Sequence, residues 1–242
     1  MYPSSVVDPA DARALSRIDI SEEGVVTVWT ISRFIRAKRK APKSCWLIRD
    51  RDYIFVAQAA AEPAAILSHM QHLKNTGVKD VILQTCLPIQ NYPVFHDHEM
   101  DGILFHNGWF FNVNLRKAQK ERLVSDIPQH STSALRKTLD RLTYEGRRPV
   151  VMATVAPMDE HGYLSLSISA IYEMDLVKRG AFVLLEVNPN FPRTFGDTMI
   201  HISQVDALVE SDRPIPAVNP APYTELDATI GKYVASLVED GS

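Results

Sequence analysis

The sequence predicts an α/β fold in which a sheet is flanked by helices. Short runs at 80–86, 149–156 and 181–187 are predicted to be buried strands, and the run at 149–156 is almost uniformly apolar, as a strand covered on both faces must be. Segments with helical spacing of apolar residues separate such runs, as at 63–74. Strands that alternate with helices along a chain are typical of α/β sheets, and we expect that architecture here.

The helical segment at 63–74 begins where a helix start is chemically favoured. A strand at 53–58 precedes it and ends in small residues, which leaves a tight strand-to-helix turn. Pro63 suits the first turn of a helix, and Glu62 places a carboxylate near the positive end of the helix dipole. The sequence therefore predicts strand, turn, helix and strand in that order.

Further elements are predicted in the second half of the chain. Residues 163–169 alternate strictly between apolar and polar side chains and predict one strand, and 171–179 has a helical composition. Prolines between 214 and 222 predict an extended linker, which leads into an amphipathic helix at 223–238. The apolar face of that helix would consist of Leu226, Ile230, Val234 and Leu237.

The chain divides into two regions that differ in amino-acid composition. Residues 1–43 begin with scattered acidic residues and then carry six basic ones within 33–43, so we expect an appendage whose basic stretch faces water. Residues 44–242 carry the alternating elements and are expected to form one domain that ends in the proline-rich linker and helix. Such a length suffices for one core of common size.

Charge and cysteine content exclude several classes of protein. The chain has 26 Lys and Arg against 29 Asp and Glu, so its net charge of -3 gives no field that attracts nucleic acid or an anionic membrane. Its two cysteines, Cys45 and Cys86, are too few for a disulfide framework, which makes the cytoplasm the expected location. No run approaches the roughly 18 apolar residues of a membrane span.

Two clusters of polar residues are candidates for a metal-binding or catalytic site. Residues 96–99 (His, Asp, His, Glu) could ligate a metal for hydrolysis, but no further ligand joins them at a known spacing, and a polar loop is favoured. Residues 159–161 (Asp, Glu, His) could serve acid–base catalysis, although a strand-exit turn is the simpler interpretation. Glycine-rich phosphate loops are absent from the sequence, which argues against classical nucleotide binding, and because a polar loop is favoured at 96–99 we assign no metal ligands.

Loops that leave strand ends are the best candidates for a binding surface. The loop at 57–63 is rich in alanine, so its backbone is approachable, and we expect the Ala61 side chain to project from the loop rather than from the core. The loop at 188–197 is stiffened by prolines and holds Arg193 beside a strand exit. Its guanidinium would suit a ligand carboxylate or phosphate, and a structural ion pair is equally compatible.

Six segments carry a family resemblance: AQAAAEP at 57–63, HNGWFFNVNLRKA at 106–118, SDIP at 125–128, APMDEHGYLSLSIS at 156–169, LLEVNPNFPRTFGDTMIHISQVDALVE at 184–210 and IGKYVASLVEDGS at 230–242. Together they resemble the acetyl-CoA hydrolase/transferase family, and in particular its 4-hydroxybutyrate or butyrate CoA-transferase branch. The resemblance covers about residues 44–242 in the family's order. It implies a CoA-transferase-type (NagB/RpiA/CoA-transferase-like) sheet flanked by helices.

The resemblance also implies an enzyme of acyl-CoA and short-chain fatty acid metabolism that moves CoA from an acyl-CoA to a free carboxylate. Coenzyme A is then a substrate and not a resident cofactor. In this family a glutamate attacks the thioester, and CoA thiolate opens the resulting anhydride to give an enzyme-bound thioester. That glutamate belongs to a second domain, beyond the segment that matches 230–242, so no catalytic residue is assigned to this chain and Glu62 does not fill the role.

The expected role of this chain is to form one wall of the acyl and carboxylate pocket. Gln58, Ala61 and Glu62 would line that wall, with Asn107 and Arg193 as further contacts to substrate. The chain alone is expected to be inactive, to need a carboxyl-terminal catalytic half or partner subunit, and to form a homo-oligomer. The alternative is a non-catalytic stand-alone or split-gene module that binds a partner subunit or a CoA ligand.

Overall fold

The computed structural model describes residues 15–20, 26–31, 47–128, 130–217 and 220–241. The strands in these ranges are β1 (Leu15–Ile20), β2 (Val26–Ile31), β3 (Tyr53–Val56), β4 (Val81–Thr85), β5 (Leu104–Gly108), β6 (Val124–Asp126), β7 (Pro149–Val155), β8 (Tyr163–Ser165), β9 (Phe182–Val187), β10 (Met199–His201) and β11 (Ala207–Glu210). The helices are α1 (Ala64–Leu67), α2 (Val113–Lys120), α3 (Ser131–Glu145), α4 (Glu173–Lys178) and α5 (Glu225–Ala235).

A nine-stranded sheet forms the centre of the molecule, in the order β1-β2-β11-β9-β7-β3-β4-β5-β6. The seven strands from β11 to β6 run parallel, and the β1–β2 hairpin joins the edge of β11 in the antiparallel direction. Strands β8 and β10 pair separately as a small antiparallel sheet. The predicted α/β sheet flanked by helices is confirmed.

Two apolar clusters cover the two faces of the large sheet. Because successive side chains of a strand point to opposite faces, Ile54 and Val56 enter one cluster and Tyr53 and Phe55 the other. The first cluster also contains buried apolar residues of α1 and α2, and the second contains buried apolar residues of α3 and α4. Burial on both faces explains the mostly apolar character of β7 and β9.

The predicted helix at 63–74 is interrupted. Helix α1 ends at Leu67, and a 3₁₀ segment, Met70–Asn75, continues in its place. The His69 ring nitrogen Nδ1 lies 2.8 Å from the Ala65 carbonyl, the acceptor that a continuous helix would offer to the His69 amide. The His69 amide bonds to Ile66 instead, which tightens the turn and ends the α-helix.

The strand predicted at 163–169 is also shorter than expected, because β8 ends at Ser165. Ser167 has a φ of 61°, a left-handed conformation that cannot continue a strand. Its hydroxyl donates to the Pro192 carbonyl at 2.6 Å, and Ser165 accepts from the Thr194 amide at 3.1 Å. These serines therefore anchor the loop that follows β9.

The structure describes part of the amino-terminal region and nearly all of the carboxyl-terminal region. The β1–β2 hairpin lies within the region predicted as an appendage, whereas the basic stretch at 33–43 and the Cys45 thiol lie outside the described residues. Helix α5 forms within the predicted segment at 223–238, and its apolar side chains are exposed. No helix of the described residues combines the length and apolarity that crossing a membrane requires.

Candidate functional site

A set of loops lies at the carboxyl ends of the parallel strands, which all end on the same side of the sheet. These loops follow β3, β4, β5, β7, β9 and β11, and we call this side the carboxyl edge. In open α/β sheets, ligands bind in crevices outside the carboxyl ends of the strands. The loop after β3 occupies the middle of this edge, between the exits of β4 and β7. This loop contains three of the five predicted site residues.

Glu62 ends the 3₁₀ turn Ala59–Ala61, and its side chain is almost completely buried, with 1% of the residue exposed. One carboxyl oxygen, Oε1, accepts from the Gln90 amide at 3.0 Å, and Oε2 accepts from the Ile89 amide at 3.3 Å. The buried Tyr92 hydroxyl lies beside the carboxyl group without completing a hydrogen bond of normal geometry among the described residues. Burial raises the pKa of Glu62 to about 7, and the Tyr92 hydroxyl, the two amide donors and Arg213 offset it only in part.

Arg213 fixes the main chain of the same loop. Its Nη2 donates to the Glu62 carbonyl at 2.5 Å, and its Nε donates to Glu186 Oε1 at 3.0 Å. The Thr154 hydroxyl also donates to the Glu62 carbonyl, at 3.0 Å. The other Glu186 oxygen accepts from the Ala65 amide at 2.8 Å, at the start of α1. Side chains from β7, β9 and the β11 exit thus hold the loop after β3.

The structure corrects the expectation for Ala61. This residue is fully buried and belongs to the cluster under α3 and α4, so its side chain does not project from the loop. The reason is the turn at Ala59, whose φ of 52° directs the next residues back toward the sheet. Gln58 precedes the turn with an extended backbone and a half-buried side chain, which leaves part of its surface accessible.

Asn107 and Arg193 lie apart from that loop. Asn107 is half-buried in β5, two strands from β3 in the sheet, and its carbonyl accepts from Gln84 Nε2 at 3.1 Å. Arg193 forms an ion pair with Asp159 and donates to the Tyr163 carbonyl at 3.2 Å. Of the two interpretations left open for Arg193, the structural ion pair is present, while contact with substrate stays a prediction.

Several residues of the Glu62 network were missed by sequence reasoning. Thr154 and Glu186 are polar residues inside the otherwise apolar strands β7 and β9, and both are fully buried. A buried charge needs a partner, so Glu186 in its strand was itself a signal that a cation lies nearby. The sequence did not reveal that cation, because Arg213 lies 27 residues further along the chain, just before the segment interpreted as a linker.

Other buried ionisable groups lie close to the same edge. His106 is fully enclosed, its Nε2 lies 2.8 Å from Thr85 Oγ1, and its ring stacks on Phe95 at 4.5 Å. Burial lowers the pKa of His106 to about 3, so the ring is neutral at physiological pH. Glu173 accepts from the Ile171 and Tyr172 amides at the start of α4, and burial raises its pKa as well.

The cluster at 96–99 is occupied by internal contacts. Asp97 accepts from Lys74 at 3.1 Å and from the Glu99 amide at 2.9 Å, while His96 Nε2 lies 2.6 Å from Asn91 Oδ1. Within the ranges that the structure describes, no group of three or more His, Cys, Asp or Glu side chains is arranged to hold a metal ion. Asp159, from the other polar cluster, is the partner of Arg193.

The parallel sheet and the polar loops at its carboxyl edge define an α/β domain of the CoA-transferase type. Residues 34–220 match the acetyl-CoA hydrolase/transferase N-terminal domain, so the chain belongs to the acetyl-CoA hydrolase/transferase family. This match confirms the family resemblance and contains five of the six segments that carry it, whereas the segment at 230–242 lies beyond the matched residues.

Known relatives agree with this assignment. The succinyl-CoA:cyclohexane-1-carboxylate CoA transferase of Geobacter metallireducens is 37% identical over 136 residues, which are 56% of this chain and 30% of that protein. The 4-hydroxybutyrate coenzyme A transferase of Clostridium kluyveri is 38% identical over 100 residues, 40% of this chain and 23% of that protein. The crystal structure of RipA from Yersinia pestis has a TM-score of 0.69 at 24% identity over 81% of this chain and 47% of that one. The chain spans less than half the length of each.

Proposed function

We propose that this chain is the amino-terminal part of an acyl-CoA:carboxylate CoA-transferase and forms one wall of the pocket for the acyl group and the carboxylate. The observation that carries the proposal is the loop after β3, which is fixed at the carboxyl edge of the sheet by hydrogen bonds from Thr154 and Arg213 to the Glu62 carbonyl. The names of the relatives support the reaction class, because each describes transfer of CoA.

A fixed wall suits this reaction. Transfer of CoA between carboxylates needs the acyl carbonyl to be held against an attacking carboxylate, and a preorganised surface supplies that orientation without forming bonds. Gln58 and Asn107 are half-buried and present amide groups that can contact a carboxylate or a thioester oxygen. Ala61 and Glu62 are buried, so they act on the pocket by shaping the loop, and Arg193 acts from the Asp159 ion pair.

The nucleophilic glutamate and the remaining wall would come from a carboxyl-terminal catalytic half. We therefore expect the 242-residue chain alone to lack transferase activity, since removal of a covalent nucleophile costs many orders of magnitude in rate. Acyl-CoA and a short carboxylate are the proposed substrates, in the cytoplasm, with coenzyme A as the transferred group and no resident cofactor.

A reconstitution assay tests the proposal. The pure chain is incubated with acetyl-CoA and butyrate, and butyryl-CoA is followed with and without a separately expressed carboxyl-terminal half of a related transferase. Turnover is expected only with both halves. Gln58→Ala should reduce it, whereas Gln119→Ala, an exposed glutamine at the far end of α2, should not. Turnover by the chain alone that is lost in Glu62→Gln would refute the assignment.

One observation favours the alternative of a module that binds a partner without catalysis. Helix α5 exposes the apolar side chains of Leu226, Ile230 and Val234, a surface that a partner subunit or a second copy of the chain could cover. The same assay separates the two functions. A carboxyl-terminal half that binds the chain in sedimentation experiments but gives no turnover would support the non-catalytic module.

A further inference from the structure

The loop that leaves β4, residues 87–90, is held from two sides. On one side the Glu62 carboxyl accepts from the amides of Ile89 and Gln90. On the other side the Pro88 carbonyl accepts from Asn114 Nδ2 at 3.1 Å and from Asn112, the residue that caps the start of α2. The loop begins at Leu87 with a φ of 50°, a strained conformation for leucine that needs such support.

We propose that Glu62 is a positioning residue whose ionised carboxylate fixes residues 87–90 against the loop after β3, and that protonation releases this hold. An ionised carboxylate offers two acceptor oxygens, one for each amide. Protonation turns one oxygen into a donor and removes the charge that strengthens both bonds. The proposal rests on the proposed function in one respect, that these two loops form the pocket wall.

The groups that face the Glu62 carboxyl set the pH at which it is protonated, and that pH lies within the physiological range. Arg213 favours the ionised form, but its Nε and Nη2 are bound to Glu186 and to the Glu62 carbonyl. The Tyr92 hydroxyl faces the carboxyl from the segment after the loop, and burial raises the pKa of this tyrosine, so it stays neutral. Burial therefore dominates, and the pKa of Glu62 lies at about 7.

Amide hydrogen exchange of the full chain, followed residue by residue by NMR, tests the proposal directly. Between about pH 8.5 and about pH 5.5, the protection factors of the Ile89 and Gln90 amides should fall about tenfold, the effect of losing roughly one hydrogen bond. The Ala65 amide serves as the internal control, because its acceptor Glu186 is paired with Arg213. Its protection factor should change less than twofold, well below the change at the loop.

Glu62→Gln provides the matched variant. At about pH 8.5 it should already show the low protection of the acidified protein at Ile89 and Gln90, with no further change on acidification. Glu160→Gln, at an exposed carboxyl, should behave as the unmodified protein does. Protection that stays constant across the pH range in the unmodified chain, or pH dependence that persists in Glu62→Gln, would refute the proposal.

The unmodified chain decides the question even where Glu62→Gln fails to fold. Because hydrogen exchange needs neither substrate nor a second half, its outcome is independent of the transferase assay. A pH-dependent loop in a chain that gives no turnover on reconstitution would support the positioning role and contradict the proposed function.

Discussion

Arg213 Nη2 donates a hydrogen bond to the Glu62 carbonyl at 2.5 Å, although 151 residues separate the two in sequence. The same guanidinium binds Glu186 on β9 and lies 3.4 Å from the Thr154 hydroxyl on β7. It therefore crosses from the β11 exit to the loop after β3 over the two strands between them. Together with the Thr154 hydroxyl, this guanidinium fixes the central loop of the carboxyl edge.

Arg213→Met should destabilise the fold by about 3–5 kcal/mol, because it leaves the fully buried Glu186 carboxylate without its charged partner. Urea unfolding followed by circular dichroism measures this loss. Arg193→Met is the matched control, since its ion pair with Asp159 is partly exposed and should contribute about 1 kcal/mol or less. Equal losses in the two variants would contradict the assignment of Arg213 as the central support.

Ala61→Leu should destabilise the fold by about 1–3 kcal/mol, since three extra carbon atoms would enter a fully buried position in the cluster under α3 and α4. The thermal unfolding midpoint reports the effect. Ala235→Leu, the same change at an exposed position of α5, should stay within about 0.5 kcal/mol. If Ala61→Leu proved as neutral as Ala235→Leu, the side chain would have to lie at an open surface.

The sequence was sufficient to predict the fold class, because strands covered on both faces must be mostly apolar, as β7 and β9 are apart from Thr154 and Glu186. It was less informative about short or polar elements. Helix α3 has buried Leu135, Leu139 and Leu142 at helical spacing, but its many polar residues concealed that face. Strand β11 has only four residues, too few for a periodic pattern to emerge.

The candidate site could be predicted from the sequence only in part, because only some of its residues lie in a recognisable local pattern. Its central loop follows a clear strand and is rich in alanine, so Gln58 and Glu62 could be singled out from local sequence. The contacts that fix Glu62 come from β7, the β4 exit and the β11 exit, and such long-range pairs leave no local pattern. The φ of Ala59, which buries Ala61, is likewise set by this tertiary packing and not by the preference of alanine.

His106→Gln should reduce the sensitivity of the fold to acid. The pKa of His106 is lowered from 6.5 to about 3 by burial, so between these values the unfolded state binds a proton that the folded state does not. The contribution of His106 is fully present above about pH 6.5 and is lost at about 1.4 kcal/mol per pH unit as the pH falls. Urea unfolding of both proteins measures it, with the exposed His161→Gln as control.

Glu62→Gln should change the pH dependence of the folding stability in the direction opposite to His106→Gln. The pKa of Glu62 is raised from 4.5 to about 7, so between these values the folded state holds a proton that the unfolded state has lost. Its contribution is fully present below about pH 4.5 and is lost as the pH rises through about 7. The stability of Glu62→Gln relative to the unmodified protein should therefore increase by about 3 kcal/mol from about pH 4.5 to about pH 7.5.

The two titrations overlap between about pH 4.5 and about pH 6.5, where their slopes cancel. The unmodified protein should lose little stability there from these two groups, whereas Glu62→Gln should reveal the full acid sensitivity of His106. Combining Glu62→Gln with His106→Gln should flatten the profile again. Urea unfolding of the four proteins in that window is the measurement. A slope that Glu62→Gln leaves unchanged would mean that the carboxyl is ionised in the folded state throughout the window.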